Sequence, residues 1–217
     1  MKKLISYLFP IPIKKFDSSF NGRLELNLVN GKLILDTEVS NYSYGSLERI
    51  LHTGLHEIKF NNKIREILIL GLGGGSVIQT IRETFKSDAL IIAIDKDPTI
   101  IEIAINEFNI NRFKNVNIIQ ADALEYIEKS NESFDLIIVD IFIGDKIPKI
   151  FTEAPFINQL TNHLNSKGKI IYNTIKYTLK PKIFNQIKCE LVNQDFSLKI
   201  IKKVESTNDL IIAEKNR

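Results

Sequence analysis

The sequence predicts a doubly wound α/β protein, in which a mostly parallel seven-stranded sheet has helices on both of its faces. Three observations support this fold class. After Lys63, short apolar runs alternate with segments of helical periodicity. These runs are rich in Ile and Leu, which is typical of parallel strands buried on both faces. Two further alternating runs flank a polar turn near the end of the sequence and predict an antiparallel C-terminal hairpin.

The predicted elements follow one another in chain order. A small N-terminal β-hairpin comes first, because two strand-like runs flank Asn30-Gly31, a dipeptide typical of hairpin turns. Its strands are residues 23–28 and 32–36, and a helix over 46–58 follows. The predicted strands of the main sheet are 66–70, 89–94, 116–119, 134–139 and 169–172, then 196–203 and 209–213 in the C-terminal hairpin. The predicted helices between them are 76–85, 98–109, 122–129, 153–164 and 180–190.

The composition limits the classes of protein that fit. The chain has 217 residues with a net charge of +3, and its Lys and Arg residues are scattered, so neither a nucleic acid nor a membrane is expected as a partner. A single cysteine, Cys189, excludes an intrachain disulfide and suits a cytoplasmic location. No apolar run approaches the ~20 residues of a membrane span. Pro10 and Pro12 interrupt the N-terminal apolar run, which we interpret as an extended arm, with a signal peptide as the alternative.

Glycines and carboxylates follow successive strands of the predicted sheet. In doubly wound folds, ligands bind at the carboxyl ends of the strands. Each residue also has a purely structural interpretation, because glycines permit tight turns and Asp97 or Asp122 could cap the helix that follows. We expect the set to surround one ligand. Its members are Gly71, Gly73, Gly74 and Gly75 after the first strand, Asp95 and Lys96 after the second, Asp122 and Ala123 after the third, and Asp140 with nearby Asp145 after the fourth.

This set of residues is typical of a nucleoside site. Glycines let the backbone approach a ligand closely, and a carboxylate after the second strand can accept hydrogen bonds from both ribose hydroxyls. Both NAD and S-adenosylmethionine fit the glycines and the carboxylate after the second strand. Ser76 stands where dinucleotide sites have a third glycine, and the acids after strands three and four would repel a pyrophosphate. We therefore predict S-adenosylmethionine, or its decarboxylated form, as the cofactor.

The order of motifs resembles the spermidine synthase family of class I S-adenosylmethionine-dependent transferases. The resemblance extends from about Ser19 to Asn173, and it is most specific in IPKIFTEAPFINQLTNHLNSKGKIIYN. It also includes GRLELNLVNGKLILD, the glycine turn, AIDKDPTIIEIA, QADALEYI and FDLIIVDIF. It implies a Rossmann-like class I methyltransferase fold, and an N-terminal region that closes over the site and takes part in homodimer contacts. It implies further that Asp95 binds ribose, that Asp122 with Ala123 binds adenine, and that Asp140 lies beside the reacting centre.

The sequence departs from the aminopropyltransferases of that family. Gly74 stands where they have an Asp, and the helix GSLERILHTGLHE lacks their Tyr-His-Glu segment. The loop after the fourth strand is also longer than their Asp-x-x-Asp. The sequence therefore looks closer to the methyltransferase-like branch, and we predict methyl transfer to a small acceptor, with an amine as the candidate. Asp140 is then the candidate catalytic base, and Asp145 is the candidate second contact to a cationic acceptor.

Two other functions remain open at this point. One is aminopropyl transfer from decarboxylated S-adenosylmethionine to a diamine, and the other is a degenerate member that binds a nucleoside without catalysis. No metal is predicted, because His52 and His56 would supply only half of a metal site. Tyr42 and Tyr44 are candidates for the acceptor pocket or for ordinary packing. We divide the chain into residues 1–62, an N-terminal arm, hairpin and helix, and residues 63–217, a nucleoside-binding catalytic domain.

Overall fold

The N-terminal part of the chain forms a small antiparallel sheet. The computed structural model describes residues 2–37, 41–43 and 45–216. The sheet has the strand order β1-β2-β3-β4. Its central pair, β2 and β3, is the predicted hairpin around Asn30-Gly31. The N-terminal elements are α1 (Lys2–Ile5), β1 (Ile11–Ser18), β2 (Gly22–Val29), β3 (Lys32–Thr37), β4 (Asn41–Ser43) and α2 (Ser46–Glu57).

Strand β1 was not predicted, because Pro10 and Pro12 favour an extended arm in this part of the sequence. It pairs antiparallel with β2, and the register shifts between Pro12 and Lys14. Proline has no N–H group to donate, so it is confined to edge strands and irregular positions within sheets. The prolines therefore mark an edge strand rather than an unpaired segment.

The main sheet has seven strands in the order β10-β11-β9-β8-β5-β6-β7. Strands β5 to β9 are mutually parallel, and β11 pairs antiparallel with both β9 and β10. This confirms the predicted fold class. The elements are β5 (Glu66–Leu70), α3 (Ser76–Gln79), β6 (Leu90–Asp95), α4 (Pro98–Asn106), β7 (Val116–Gln120), α5 (Ala123–Lys129), β8 (Phe134–Val139), α6 (Ala154–Asn162), β9 (Leu164–Ile175), α7 (Pro181–Asn193), β10 (Phe196–Val204) and β11 (Asn208–Lys215).

The direction of winding reverses beside β5. The chain proceeds from β5 to β6 and β7 on one side, and it then crosses to β8 and β9 on the other. Loops that leave the carboxyl ends of β5 and β8 therefore diverge and open a crevice, which is where doubly wound folds bind ligands. None of the helices within the described ranges is long and apolar enough to cross a membrane.

Helix α2 joins the small sheet to the main sheet. Leu51 and Leu55 on its inner face are buried, and they share one apolar core with residues of both sheets. Gly54 permits this close approach, since a Cβ atom there would lie 3.0 Å from Cγ2 of Ile171 on β9. A second core covers the opposite face of the main sheet, where α6 and α7 pack.

The turn between β1 and β2 is fastened to the loop after β6. Ser18 Oγ and Asn21 Nδ2 both donate hydrogen bonds to Asp97 Oδ2, the second at 2.7 Å. Asp97 is fully buried, and its Oδ1 accepts from the Thr99 backbone N–H at 2.9 Å, which caps α4. The helix-capping role considered for Asp97 is therefore confirmed, and the same carboxylate also anchors the small sheet.

We expect Ser18→Ala to lower the free energy of unfolding by about 1.5–3 kcal/mol, because it removes a hydrogen bond to a buried carboxylate. Urea denaturation measures this loss. Ser197→Ala is the matched control, since the Ser197 hydroxyl lies on an exposed strand and donates only a 3.3 Å bond to a backbone carbonyl. Equal losses in the two variants would contradict the anchoring role of Ser18.

Candidate functional site

A cavity of about 420 Å³ lies at the carboxyl ends of the parallel strands. This is within the range of about 300–1,000 Å³ that is usual for small-molecule sites. Its wall combines residues at the ends of the main-sheet strands with Asn21, in the turn between β1 and β2, and with Leu47 and Ile50 of α2. Residues 1–62 and residues 63–217 therefore both contribute to this site.

The glycine turn after β5 contributes part of the cavity wall through Gly71 and Gly73. Gly71 has a φ of +96°, and a Cβ atom there would lie 2.2 Å from the backbone oxygen of Asp140. Gly74 and Gly75 are buried and are not among the residues that line the cavity. Gly75 instead permits packing, since a Cβ atom there would lie 2.6 Å from Cγ1 of Ile110. Cofactor contact by all four glycines stays a prediction.

Asp95 closes strand β6 with a buried carboxylate in the cavity wall. Its Oδ2 accepts a hydrogen bond from the Leu72 backbone N–H at 3.1 Å, and its Oδ1 accepts from the Asp97 N–H at 3.0 Å. Burial raises the pKa of Asp95 to about 6, and these backbone hydrogen bonds oppose the rise. Lys96 follows it, with Nζ 5.1 Å from the centre of the Phe20 ring.

Asp122 caps the helix that follows β7. Its Oδ1 accepts from the Leu124 backbone N–H at 2.9 Å, which confirms the capping role that the sequence allowed. Asp122 also lines the cavity, together with Ala121 and Ala123. The capping bond uses only Oδ1, and Oδ2 has no hydrogen-bond partner within the described part of the chain. A second role for this carboxylate is therefore compatible with the first.

Asp140 follows β8 and lies opposite the glycine turn. Its backbone N–H donates to the Leu70 oxygen at 2.8 Å, which fixes the start of the loop, and its Oδ1 accepts from Asn173 Nδ2 at 2.8 Å. The pKa of Asp140 is raised to about 6, chiefly by burial; the hydrogen bond from Asn173 opposes the rise, and the negative charge of Asp95 adds to it. The structure thus brings Asp95, Asp122 and Asp140 to one cavity, as the sequence predicted.

Asn173, Thr207 and Asn208 line the cavity but were missed by the sequence analysis. Asn173 is the polar residue near the end of β9, and its position after KIIY was the available signal. Thr207 and Asn208 were assigned only to a turn. They reach the site because β11 runs antiparallel to its neighbour β9 and therefore begins at the edge of the sheet where β9 ends.

The loop after β8 supplies Asp145 and an apolar wall. Thr178 Oγ1 donates to the backbone oxygen of Asp145 at 2.6 Å, so the loop is tied to the segment after β9. Within the described ranges, the carboxylate of Asp145 has no ion-pair partner. The cavity residues Ile141, Phe142, Ile143, Pro148, Phe151, Ile175 and Tyr177 are apolar or aromatic. Tyr44 and the side chain of Tyr42 lie outside the described residues.

The comparisons with known proteins agree with this fold. A family model described as a methyltransferase domain matches residues 62–215. The chain belongs to this methyltransferase family. It is also 32% identical over 118 residues to the polyamine aminopropyltransferase of Vibrio vulnificus, a match that covers 53% of this chain and 39% of that protein. The chain therefore spans about two fifths of the length of that curated relative.

Two solved structures support the fold of this methyltransferase-family chain. A spermidine synthase in complex with the transition-state analogue AdoDATO has a TM-score of 0.75 at 14% identity, over 95% of this chain and 74% of that one. Human methyltransferase-like protein 13 in complex with SAH has a TM-score of 0.66 at 21% identity, over 79% and 83%. Together with the family match, they confirm the Rossmann-like class I fold and the expected resemblance to spermidine synthases.

The charges around the cavity favour a ligand with positive character. Among the described residues, four carboxylates line it, those of Asp95, Asp122, Asp140 and Asp145, against one ammonium, that of Lys96. No group of three His, Cys, Asp or Glu side chains within the described part of the chain is arranged to hold a metal ion. His52 instead packs against Phe85, with ring centres 5.6 Å apart.

Proposed function

We propose that this methyltransferase-family protein binds S-adenosylmethionine and transfers its methyl group to a small acceptor that carries an amine. One observation carries the proposal: the carboxylates that end β6, β7 and β8 line a single cavity beside the glycine turn. Three anionic groups around one cavity fit a sulfonium cation that also has an amino group, and they do not fit a pyrophosphate.

The side of the cavity near β6 suits the nucleoside. Gly71 and Gly73 contribute no side chain to the wall, so a ligand can approach the backbone there. Asp95 would accept hydrogen bonds from the ribose hydroxyls, and Asp122 with Ala123 would contact the adenine. In this role Asp95 gains hydrogen-bond donors that favour its charged form and offset the cost of its burial.

The side near β8 suits the acceptor. When bound, S-adenosylmethionine supplies an activated methyl group and a sulfur that accepts the bonding electron pair. Asp140 would hold the attacking amine and take up the proton that it loses. Such a base contributes about 10²–10⁴-fold to a rate, and alignment by the cavity wall contributes up to about 7–11 kcal/mol. Asp145 would draw a cationic acceptor toward the loop.

Aminopropyl transfer is the second candidate, and the polyamine aminopropyltransferase of Vibrio vulnificus favours it. Gly74, in place of the carboxylate seen in that family, favours methyl transfer instead. Calorimetry with S-adenosylmethionine and with its decarboxylated form shows which donor the protein prefers. Product analysis with putrescine as acceptor then separates the two functions. Preference for the decarboxylated form together with spermidine formation would overturn the proposal. If neither donor binds, the result would favour a degenerate family member that catalyses neither transfer.

We expect Asp95→Asn to weaken binding of S-adenosylmethionine by about 10–100-fold, because hydrogen bonds from the ribose to a charged acceptor become bonds to a neutral one. Isothermal titration calorimetry measures the change. Asp135→Asn is the matched control, since Asp135 lies near the amino end of β8 and accepts from the Arg65 backbone N–H instead. Equal affinities for the Asp95 variant and the unmodified chain would argue against this site.

A further inference from the structure

We propose that Asn173 is a positioning residue, which holds one oxygen of Asp140 through a hydrogen-bonded chain that begins at Thr207 and passes through Asn208. The proposal rests on the proposed function in one respect, namely that Asp140 is the base. It adds a requirement that neither the sequence motifs nor the family match contains. The C-terminal hairpin would then support catalysis as well as complete the sheet.

The chain of hydrogen bonds is continuous and has one direction. Thr207 Oγ1 donates to Asn208 Oδ1 at 2.7 Å, so Asn208 presents its Nδ2 to Asn173. Asn208 Nδ2 donates to Asn173 Oδ1 at 2.9 Å. Asn173 Nδ2 then donates to Asp140 Oδ1 at 2.8 Å. Each amide is oriented by the group before it, so the carboxylate meets an N–H donor and not a carbonyl oxygen.

Both asparagines are buried next to apolar residues, Asn173 near the end of β9 and Asn208 at the start of β11. Asn173 is 1% exposed and follows Ile170, Ile171 and Tyr172, while Asn208 is 5% exposed and comes two residues before Leu210. Burying an amide costs free energy unless its groups are hydrogen-bonded, and a branched aliphatic residue would fill the same space without that requirement. We therefore assign the two amides a role beyond packing, which is to supply the hydrogen bond that Asp140 accepts.

The arrangement leaves the second oxygen of Asp140 available. Asn173 engages Oδ1, and Oδ2 has no hydrogen-bond partner within the described residues. A carboxylate held at one oxygen loses freedom to rotate, so its other oxygen keeps a fixed direction for accepting a proton. This is the orienting role that a hydrogen-bonded neighbour commonly has toward a catalytic base.

Charges around Asp140 make this support necessary. Asp95, at the end of β6, is the charged group that acts on it directly, and Lys96, Asp122 and Asp145 line the same cavity. Burial and the charge of Asp95 both favour the protonated form of Asp140, while the hydrogen bond from Asn173 favours the carboxylate. Loss of that bond is therefore expected to raise the pKa of Asp140.

The test measures the titration of Asp140 directly and needs no acceptor. The chain is labelled with ¹³C-aspartate, and the carboxyl signal of Asp140 is assigned by its loss in Asp140→Asn. We expect Asn173→Leu to raise its midpoint by about one pH unit. We expect Asn208→Leu to raise it by less, and the double variant to raise it no more than Asn173→Leu alone, because the two residues act in series.

Thr174→Val is the matched control. Thr174 neighbours Asn173, is equally buried, and donates its hydroxyl hydrogen bond to the Asp209 oxygen at 2.7 Å. An equal shift in this control, or no shift in Asn208→Leu, would overturn the proposal. If the leucine variants do not fold, Thr207→Val replaces them, because Thr207 lies in an exposed turn. We expect this variant also to raise the titration midpoint of Asp140, and an unchanged midpoint would overturn the proposal. Calorimetry with S-adenosylmethionine on the unmodified chain reports separately on the proposed function.

Discussion

Replacing Asp140 with Asn is expected to lower kcat for methyl transfer by about 10²–10⁴-fold, the usual contribution of a positioned base. Asparagine keeps the size of the side chain and can still accept the hydrogen bond from Asn173, but it cannot take up a proton. Formation of S-adenosylhomocysteine with a panel of small amines measures the change. S-adenosylmethionine should still bind the variant, with a smaller loss of affinity than in Asp95→Asn, because the ribose and adenine contacts belong to Asp95 and Asp122.

The pH dependence of the unmodified enzyme provides a second readout. Burial raises the pKa of Asp140 to about 6, so the base is ionised above that pH and protonated below it. Activity should therefore fall as the pH drops through about 6. Asp145→Asn is the control, since we expect it to raise KM for a cationic acceptor and leave kcat little changed. An unaltered kcat in Asp140→Asn would remove Asp140 from the mechanism.

Asp140→Asn is expected to lower activity but to raise the stability of the fold. The pKa of Asp140 is higher in the folded protein than its ordinary value of 3.8, so folding is favoured by the bound proton at low pH. That contribution is lost as the pH rises from about 4 through about 6, and the buried charge then costs stability. Asp140→Asn should consequently raise the free energy of unfolding at pH 8 by about 1–3 kcal/mol. Urea denaturation at pH 4 and pH 8 tests the sign.

Gly71→Ala is expected to destabilise the fold by about 2–6 kcal/mol and to abolish binding of S-adenosylmethionine. Two costs combine at this position. A φ of +96° is strained for any residue with a side chain, and the new Cβ atom would lie 2.2 Å from the backbone oxygen of Asp140. Relief of that clash requires the loops after β5 and β8 to separate, which would widen the cavity between them.

Gly22→Ala is the matched control for Gly71→Ala. Gly22 also has a positive φ, +67°, but a Cβ atom there would meet nothing within 4 Å. It therefore isolates the backbone strain, for which we expect a loss of roughly 1–2 kcal/mol with cofactor binding intact. Thermal and urea unfolding, combined with calorimetry, measure both effects. If Gly71→Ala lowers the free energy of unfolding no more than Gly22→Ala does, the close approach of Gly71 to the Asp140 backbone oxygen is not rigid.

The features that could be predicted from the sequence are those encoded by local patterns. Apolar runs bounded by glycines or acids define buried parallel strands, and parallel strands end at one edge of a sheet. Asp95 and Asp140 each follow such a run directly, and Asp122 comes shortly after another. Their meeting at one cavity could therefore be predicted before any contact was known.

The features that were missed depend on pairing between distant segments. Strand β1 contains Pro12, which locally opposes a strand, and only its position at the edge of the small sheet makes it compatible with one. Asn208 reaches the cavity because β11, and not β10, pairs with β9, and the local pattern of a hairpin does not specify which of its strands does so. Gly74 and Gly75 occur in the same turn as Gly71 but do not line the cavity, and Gly75 packs instead against Ile110, which is distant in the sequence.

The strand order at the C-terminal hairpin has a consequence for how the chain folds. Strand β11 follows β10 in the sequence but lies between β10 and β9, so β10 has no neighbour in the sheet until β11 is in place. The two strands are therefore expected to dock together as a preformed unit, at the cost of a long-range closure. Asn208 arrives with that unit. Asn173 would then receive its hydrogen bond from Asn208 only at this docking step, so the support of Asp140 would be completed after the parallel strands have formed.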